Sequence, residues 1–182
     1  MTADPPSPSD ETIANVRAYT RVAALRGELL SRFPNEFGGL TTKSPGDNMN
    51  FAILFVGDER EPIERYVEGV LAEIAAEEPN ATNLPGVVYR SVPHSLRWLF
   101  DLKDRIWAER ETLSPSRVIN SAGIREDDNI VSVSTPNPSD VVPLQRALDA
   151  QFGSGCVRVR QAEFRLTSRP GVDRSAAAPP RP

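Results

Sequence analysis

Cysteine and histidine are nearly missing from this chain, with Cys156 and His94 the single example of each. One cysteine cannot close an internal disulfide or anchor a cysteine-rich zinc site. One histidine leaves general acid–base work to aspartate and glutamate. Also missing is any apolar run approaching the roughly 18–20 residues that a membrane helix needs, which excludes a helical span. The opening MTADPPSPSD has neither the basic nor the apolar stretch of a secretory leader, an absence that points to the cytoplasm. Positive charge is scarce as well. Twenty-one Lys and Arg against 25 Asp and Glu leave a net charge of −4, whereas phosphate binding calls for a basic footprint. Neither nucleic acid nor an anionic membrane is expected as the main partner.

What remains is the composition of an ordinary globular chain, long enough for one domain or two small ones sharing a core. Prolines concentrate at the ends, three of the 17 in residues 1–10 and four in residues 170–182, so both ends read as tails too poor in apolar surface to order. The expected organisation is a Pro-rich head over 1–10, one α/β unit over 11–95, a second over 96–166, and a Pro/Ala tail over 167–182.

Within the folded part the order α-β-β-α-β occurs twice. Ser9 or Asp10 caps a first helix that runs to about Phe33, where Pro34 stops it; Val22, Leu25 and Leu29 share its apolar side. EFGGLTTK predicts a short strand and FAILFV (Phe51–Val56) a central strand covered on both faces. Pro62 opens a helix whose stripe is Ile63, Val67, Val70, Leu71 and Ile74, followed by the strand VVYRSV (Val87–Val92). The cycle restarts with one helix over 96–113, in which Leu99, Leu102, Ile106 and Leu113 make a face widened by Phe100 and Trp107. A strand near Arg117–Gly123, the strand IVSVST, a helix carrying Val141, Leu144, Leu148 and Phe152, and the strand CVRVRQAEF complete it. Sliding the chain by 79 residues lays Asn50 on Asn129, Phe51 on Ile130, Leu54 on Val133 and Ile63 on Val142. The fold class expected is α+β, with two pseudo-repeated units of small antiparallel or mixed sheets covered by helices, by duplication or by convergence of two ordinary units. A three-stranded unit buries only one face alone, so the two units shelter one another.

Few residues suggest chemistry. His94 and Ser95 adjoin, but neighbours in sequence make a poor proton-transfer pair, and Ser95 fits better as the cap of the helix beginning at Leu96. GDN-N (Gly46–Asn50) and EDDN (Glu126–Asn129) lack the 12-residue spacing of a calcium loop and read as turns. Gly38–Gly39 belongs to no phosphate-binding motif. NAT (Asn80–Thr82) matches the glycosylation sequon by accident in a chain without a leader. Cys156 reads as a small packed hydrophobe. No catalytic, metal or cofactor residue is therefore assigned. Arg158 and Arg160 alternate with Val157 and Val159, so they share one face of an edge strand, with Arg165 and Arg169 beyond. Arg158, Arg160 and Arg165 are the candidates for contact with an acidic protein partner, and the edge of that strand for strand addition. An RNA-binding sheet would present aromatics where IVSVST offers serines.

The segments RFPNEFGGLTT, FAILFVGD, YRSVPHSLRWLFDLKDRI and IREDDNIVSVS together resemble the pro-region of α-lytic/streptogrisin-type bacterial serine proteases, over about Glu36 to Phe164. The resemblance implies an α/β scaffold that packs its sheet against a protease and assists its folding or inhibits it. That family continues into a protease domain, and no protease triad is recognisable here, so no functional residue is carried across. Two functions follow as expectations: a non-catalytic interaction scaffold, or a ligand-binding or enzymatic pocket of carboxylates and arginines between the two units.

Overall fold

Helix α1 (Asp10–Arg32) starts where the Ser9 side chain accepts a hydrogen bond from the Thr12 N–H, and Asp10 and Glu11 place negative charge at the positive end of its dipole. The computed structural model describes residues 9–43, 50–113 and 118–162. Ala14, Ala18, Val22, Leu25 and Leu29 recur every three or four residues and bury one face of α1. Strands β1 (Phe37–Lys43) and β2 (Asn50–Val56) pair antiparallel, helix α2 (Arg60–Glu77) crosses over, and β3 (Val87–Val92) joins β2 in parallel. The second unit repeats the plan: α3 (Leu96–Ala108), the one-turn helix α4 (Arg110–Leu113), antiparallel β4 (Ser121–Arg125) and β5 (Ile130–Thr135), α5 (Val141–Phe152), then β6 (Val157–Gln161) parallel to β5. The fold is α+β, with two similar mixed sheets of order β1-β2-β3 and β4-β5-β6.

The two units superpose in sequence at an offset other than the expected 79. The Phe51 N–H donates to the Gly86 carbonyl and the Val131 N–H to the Cys156 carbonyl, so Phe51 corresponds to Val131, 80 residues on. Burial agrees: Phe51, Ile53 and Phe55 face the helices in one unit, Val131 and Val133 in the other. An error of one residue inverts every side chain of a strand, so the offset of 79 would have set Leu54, which points away from α1 and α2, onto the helix-facing Val133. The helices shift once more. Ile63 and Val67 in α2 match Leu144 and Leu148 in α5, all four fully buried, whereas Val142, the expected match of Ile63, is 57% exposed. The second unit spends one extra residue between strand and helix, on the 3-10 turn Pro138–Asp140.

Two further expectations are corrected. The helix over 96–113 breaks after Ala108, and Arg110 turns back to donate to the Trp107 carbonyl while its guanidinium lies 5.0 Å from the Trp107 ring. Trp107 is accordingly on the surface, 44% exposed, and not on the core face. Strand β4 begins at Ser121, later than Arg117, because pairing Ser121 with Ser134 and Ile124 with Val131 puts Ile124 between the two cores. Leu96 at the start of α3 likewise packs into the first core while Leu99 and Leu102 enter the second. Helix α3 thus straddles the junction.

Glycine requirements differ sharply between elements. A Cβ on Gly38 would stand 2.4 Å from a Val92 methyl and 3.2 Å from the Leu54 Cβ, whereas one on Gly69, in α2, would meet nothing within 4 Å. Gly38→Ala is expected to destabilise the chain by about 1–3 kcal/mol through overpacking. Gly69→Ala should stabilise it by about 0.5–1 kcal/mol through helix propensity. Urea denaturation of the two variants checks both signs.

Candidate functional site

The turn between β4 and β5, read from sequence as a plain EDDN turn, is where the two units are joined. Asn129 adopts φ +52, a left-handed conformation that Asn tolerates better than most residues, and it is only 2% exposed. Its Oδ1 accepts the His94 N–H at 2.9 Å, and its Nδ2 donates to the His94 carbonyl at 2.8 Å and the Gly38 carbonyl at 3.4 Å. One amide therefore satisfies both peptide groups of His94, in the connector that leaves β3 for α3. Three residues earlier, the Glu126 carboxylate reaches β1 two residues beyond Gly38. Its Oε1 accepts from Arg26 Nε and Nη2 at 2.9 and 2.6 Å, and its Oε2 accepts the Leu40 N–H at 2.9 Å. Gly39, at φ +141, has no room for a Cβ, which would lie 2.7 Å from that Oε2.

Beside this joint, Leu40, Thr41 and Thr42 face Ile124, Arg125, Glu126 and Asp127 across an open cleft of about 360 Å³. It is the place where a pocket of carboxylates and arginines between the units was expected. Two of its charged lining groups are already engaged: Glu126 by Arg26 and the Leu40 N–H, and Arg125 by Asp128 at 3.2 Å.

The arginine row is divided by the structure. Arg158 and Arg160 stand exposed on the outer face of the second sheet, the face turned away from α3 and α5. There the strand register flanks Ser132 with Gly123 and Arg158, and Ser134 with Ser121 and Arg160. A Cβ on Gly123, at the border of that face, would meet nothing within 4 Å, whereas Ser132 and Ser134 at its centre are buried. Arg158 shares Asp128 with Arg125, whereas Arg160 has no ion pair among the described residues. Arg165 lies outside the described residues.

Sequence reasoning missed what happens at the edge of β6. The Gln145 side chain, from α5, donates through Nε2 to the Val157 carbonyl at 3.0 Å and accepts the Val159 N–H through Oε1 at 2.8 Å. A side-chain amide imitates the peptide group of a neighbouring strand, and it occupies two of the positions an added strand would need. No local signal marks a glutamine in mid-helix for this role.

His94 and Ser95 do separate things. Ser95 caps α3 by accepting the Trp98 N–H at 3.2 Å, while the His94 ring stacks on Trp98 with centroids 4.1 Å apart. Partial burial holds the imidazole below its ordinary range. Cys156 is buried, its thiol directed at the Gly153 carbonyl at 3.1 Å and pushed up by burial, in keeping with a packed hydrophobe.

Asn129→Ala would leave the His94 peptide buried and unpaired and strain the turn, so a loss of about 2–4 kcal/mol is expected by urea denaturation. Asn129→Gly relieves the turn without restoring the hydrogen bonds and should lose less. The second expectation concerns acid. Because folding depresses the His94 pKa, the unfolded chain takes up the proton first; stability is full above about pH 6.5 and falls as pH drops below it. That increment should vanish in His94→Gln when urea midpoints are compared between pH 7.5 and 5.5.

No protein-family model matches the chain, and no curated protein matches it.

Proposed function

We propose that the chain is a non-catalytic docking scaffold that binds an acidic surface of a partner protein through the outer face of its second sheet. The observation that carries this reading is the pair Arg158 and Arg160, both exposed on the helix-free side of β6. The two arginines on this border strand supply directional donors for carboxylates. Arg160, without an ion pair among the described residues, loses little by exchanging water for such a contact. Docking by the face is favoured over strand addition to β6, where Gln145 already holds Val157 and Val159. The resemblance to protease pro-regions supplies the partner class, a protease-like domain that the sheet would lie against.

The test is capture with purified bait, comparing the natural chain with Arg158→Glu/Arg160→Glu and with Gly123→Tyr, which fills the face while leaving its charge. Each variant should retain at least tenfold less of the specifically bound protein, with a melting temperature unchanged within about 2 °C, as for other exposed positions. Raising salt should weaken the natural complex. Equal capture by all three baits would remove the proposal.

A further inference from the structure

Each three-stranded sheet has two edges, and an unprotected edge is a row of unpaired donors and acceptors. Three of the four edges are accounted for. The edges of β1 and β4 line the cleft at the joint, and Glu126 takes the Leu40 N–H. The edge of β6 is held by Gln145. The fourth, β3, is bare among the described residues.

Its orientation follows from the ladder. The Phe51 N–H bonds to the Gly86 carbonyl, and Phe51 stands beside Val87 in the parallel register. The peptide groups of Val88 and Arg90 therefore point at β2, and those of Val87, Tyr89 and Ser91 point away from it. Among the described residues no hydrogen bond reaches the Val87 carbonyl or either peptide group of Tyr89. Chemistry explains why the first unit lacks the protection of the second. In the helix correspondence that sets Ile63 on Leu144, the position of Gln145 is taken by Glu64. A carboxylate only accepts, so it cannot bridge a carbonyl and an N–H as an amide does. Glu64 is moreover engaged by Arg60, through Nε at 2.9 Å and Nη2 at 2.7 Å, and that guanidinium lies 5.1 Å from the Tyr89 ring.

We propose that two copies of this chain pair through β3, antiparallel about a twofold axis at Tyr89, merging their first sheets into one of six strands. A strand whose free groups fall on Val87, Tyr89 and Ser91 is complementary to itself when reversed: Tyr89 meets Tyr89 of the second copy, and Val87 meets Ser91. The charges agree with the same pairing. Arg90 falls opposite Val88 of the second copy and not opposite another arginine, and Val88, 47% exposed, gains cover. Along α2 the charges beside this edge run Arg60, Glu64, Glu68, and Glu68 has no ion pair among the described residues. The twofold reverses that order, so the cationic end of one α2 confronts the acidic end of the other. Twofold pairing uses the same edge of both copies, so an assembly through β3 closes at two and cannot grow into a filament through that strand.

Sedimentation equilibrium of the full chain should give twice the 20.0 kDa monomer mass at high concentration, with reversible dissociation on dilution. Val88→Lys sets two cations against each other across the pairing and should weaken the dimer at least tenfold. Val142→Lys, an equally exposed valine on α5, should leave it intact. Both substitutions are at the surface, and circular dichroism verifies that they fold. In a Cys156→Ser background, oxidised Tyr89→Cys should link the copies, because opposed residues at a hydrogen-bonded pair lie about 5.5 Å apart at Cα, within disulfide reach. Val88→Cys should not link, since each copy's residue is displaced from its twin by two positions. A natural chain that stays monomeric, even if it captures a foreign strand on β3, overturns the proposal. So does a Val88→Lys variant as dimeric as the natural chain, or a Tyr89→Cys variant that fails to cross-link.

Discussion

A buried peptide group must find a hydrogen bond, and in this chain the first unit cannot supply its own. The connector leaving β3 carries the His94 N–H and carbonyl into the part-buried joint, and both are paired by Asn129 from the second unit. The Leu40 N–H, at the bulged start of β1, is paired by Glu126 from the same turn. These bonds explain several otherwise unrelated choices of residue. Gly38 and Gly39 keep the space that the connector and the carboxylate occupy, and Arg26 on α1 neutralises the charge that Glu126 brings in. An unpaired amide at such depth costs on the order of 1–3 kcal/mol, comparable to much of a small domain's net stability. The two units are therefore tied by polar satisfaction as much as by shared apolar surface, although Ile124 contacts both cores.

The units differ where their plan is the same. At the corresponding helical position one unit has Gln145, which bonds the edge of β6, and the other has Glu64, which is bonded by Arg60. The difference of one atom type, nitrogen for oxygen, closes one edge and leaves the other open. The outer faces differ as well. Ala52, Leu54 and Val92 fill that of the first sheet, and the connector and the Glu126 turn lie over part of it. That of the second holds the buried Ser132 and Ser134, flanked by the exposed Arg158 and Arg160.

The sequence was most legible where local pattern and burial coincide. VVYRSV and IVSVST are strands with the bounds their letters suggest, and Ser9 and Ser95 cap helices as small hydroxyl residues ahead of an apolar repeat. Two similar units were visible too, but their alignment was not, because apolar residues on both faces of FAILFV fit an offset of 79 as well as 80. The bonds of Phe51 and Val131, and the side of each strand that faces the helices, distinguish them. Trp107 was misplaced for a related reason: a large ring next to Ile106 fits a core stripe on paper, and the break at Glu109 that brings Arg110 onto it has no strong signal. The roles of Glu126, Asn129 and Gln145 were illegible altogether. Their partners Arg26, Leu40 and Gly38 lie 86 to 100 residues from Glu126 and Asn129, and Gln145 acts on an edge that exists only once β6 is laid down.

The position of Asn129 in the chain also bears on synthesis. A ribosome releases the whole of α1 through β3 before it has made the turn that Glu126 and Asn129 occupy. During that interval the nascent first half has its strands and its greasy core, but its bulge and its exit peptide are still bonded to water. The last step of maturation is thus a late arrival locking an early one, and a chain truncated before the second hairpin would emerge as a loosened globule rather than half of a finished protein.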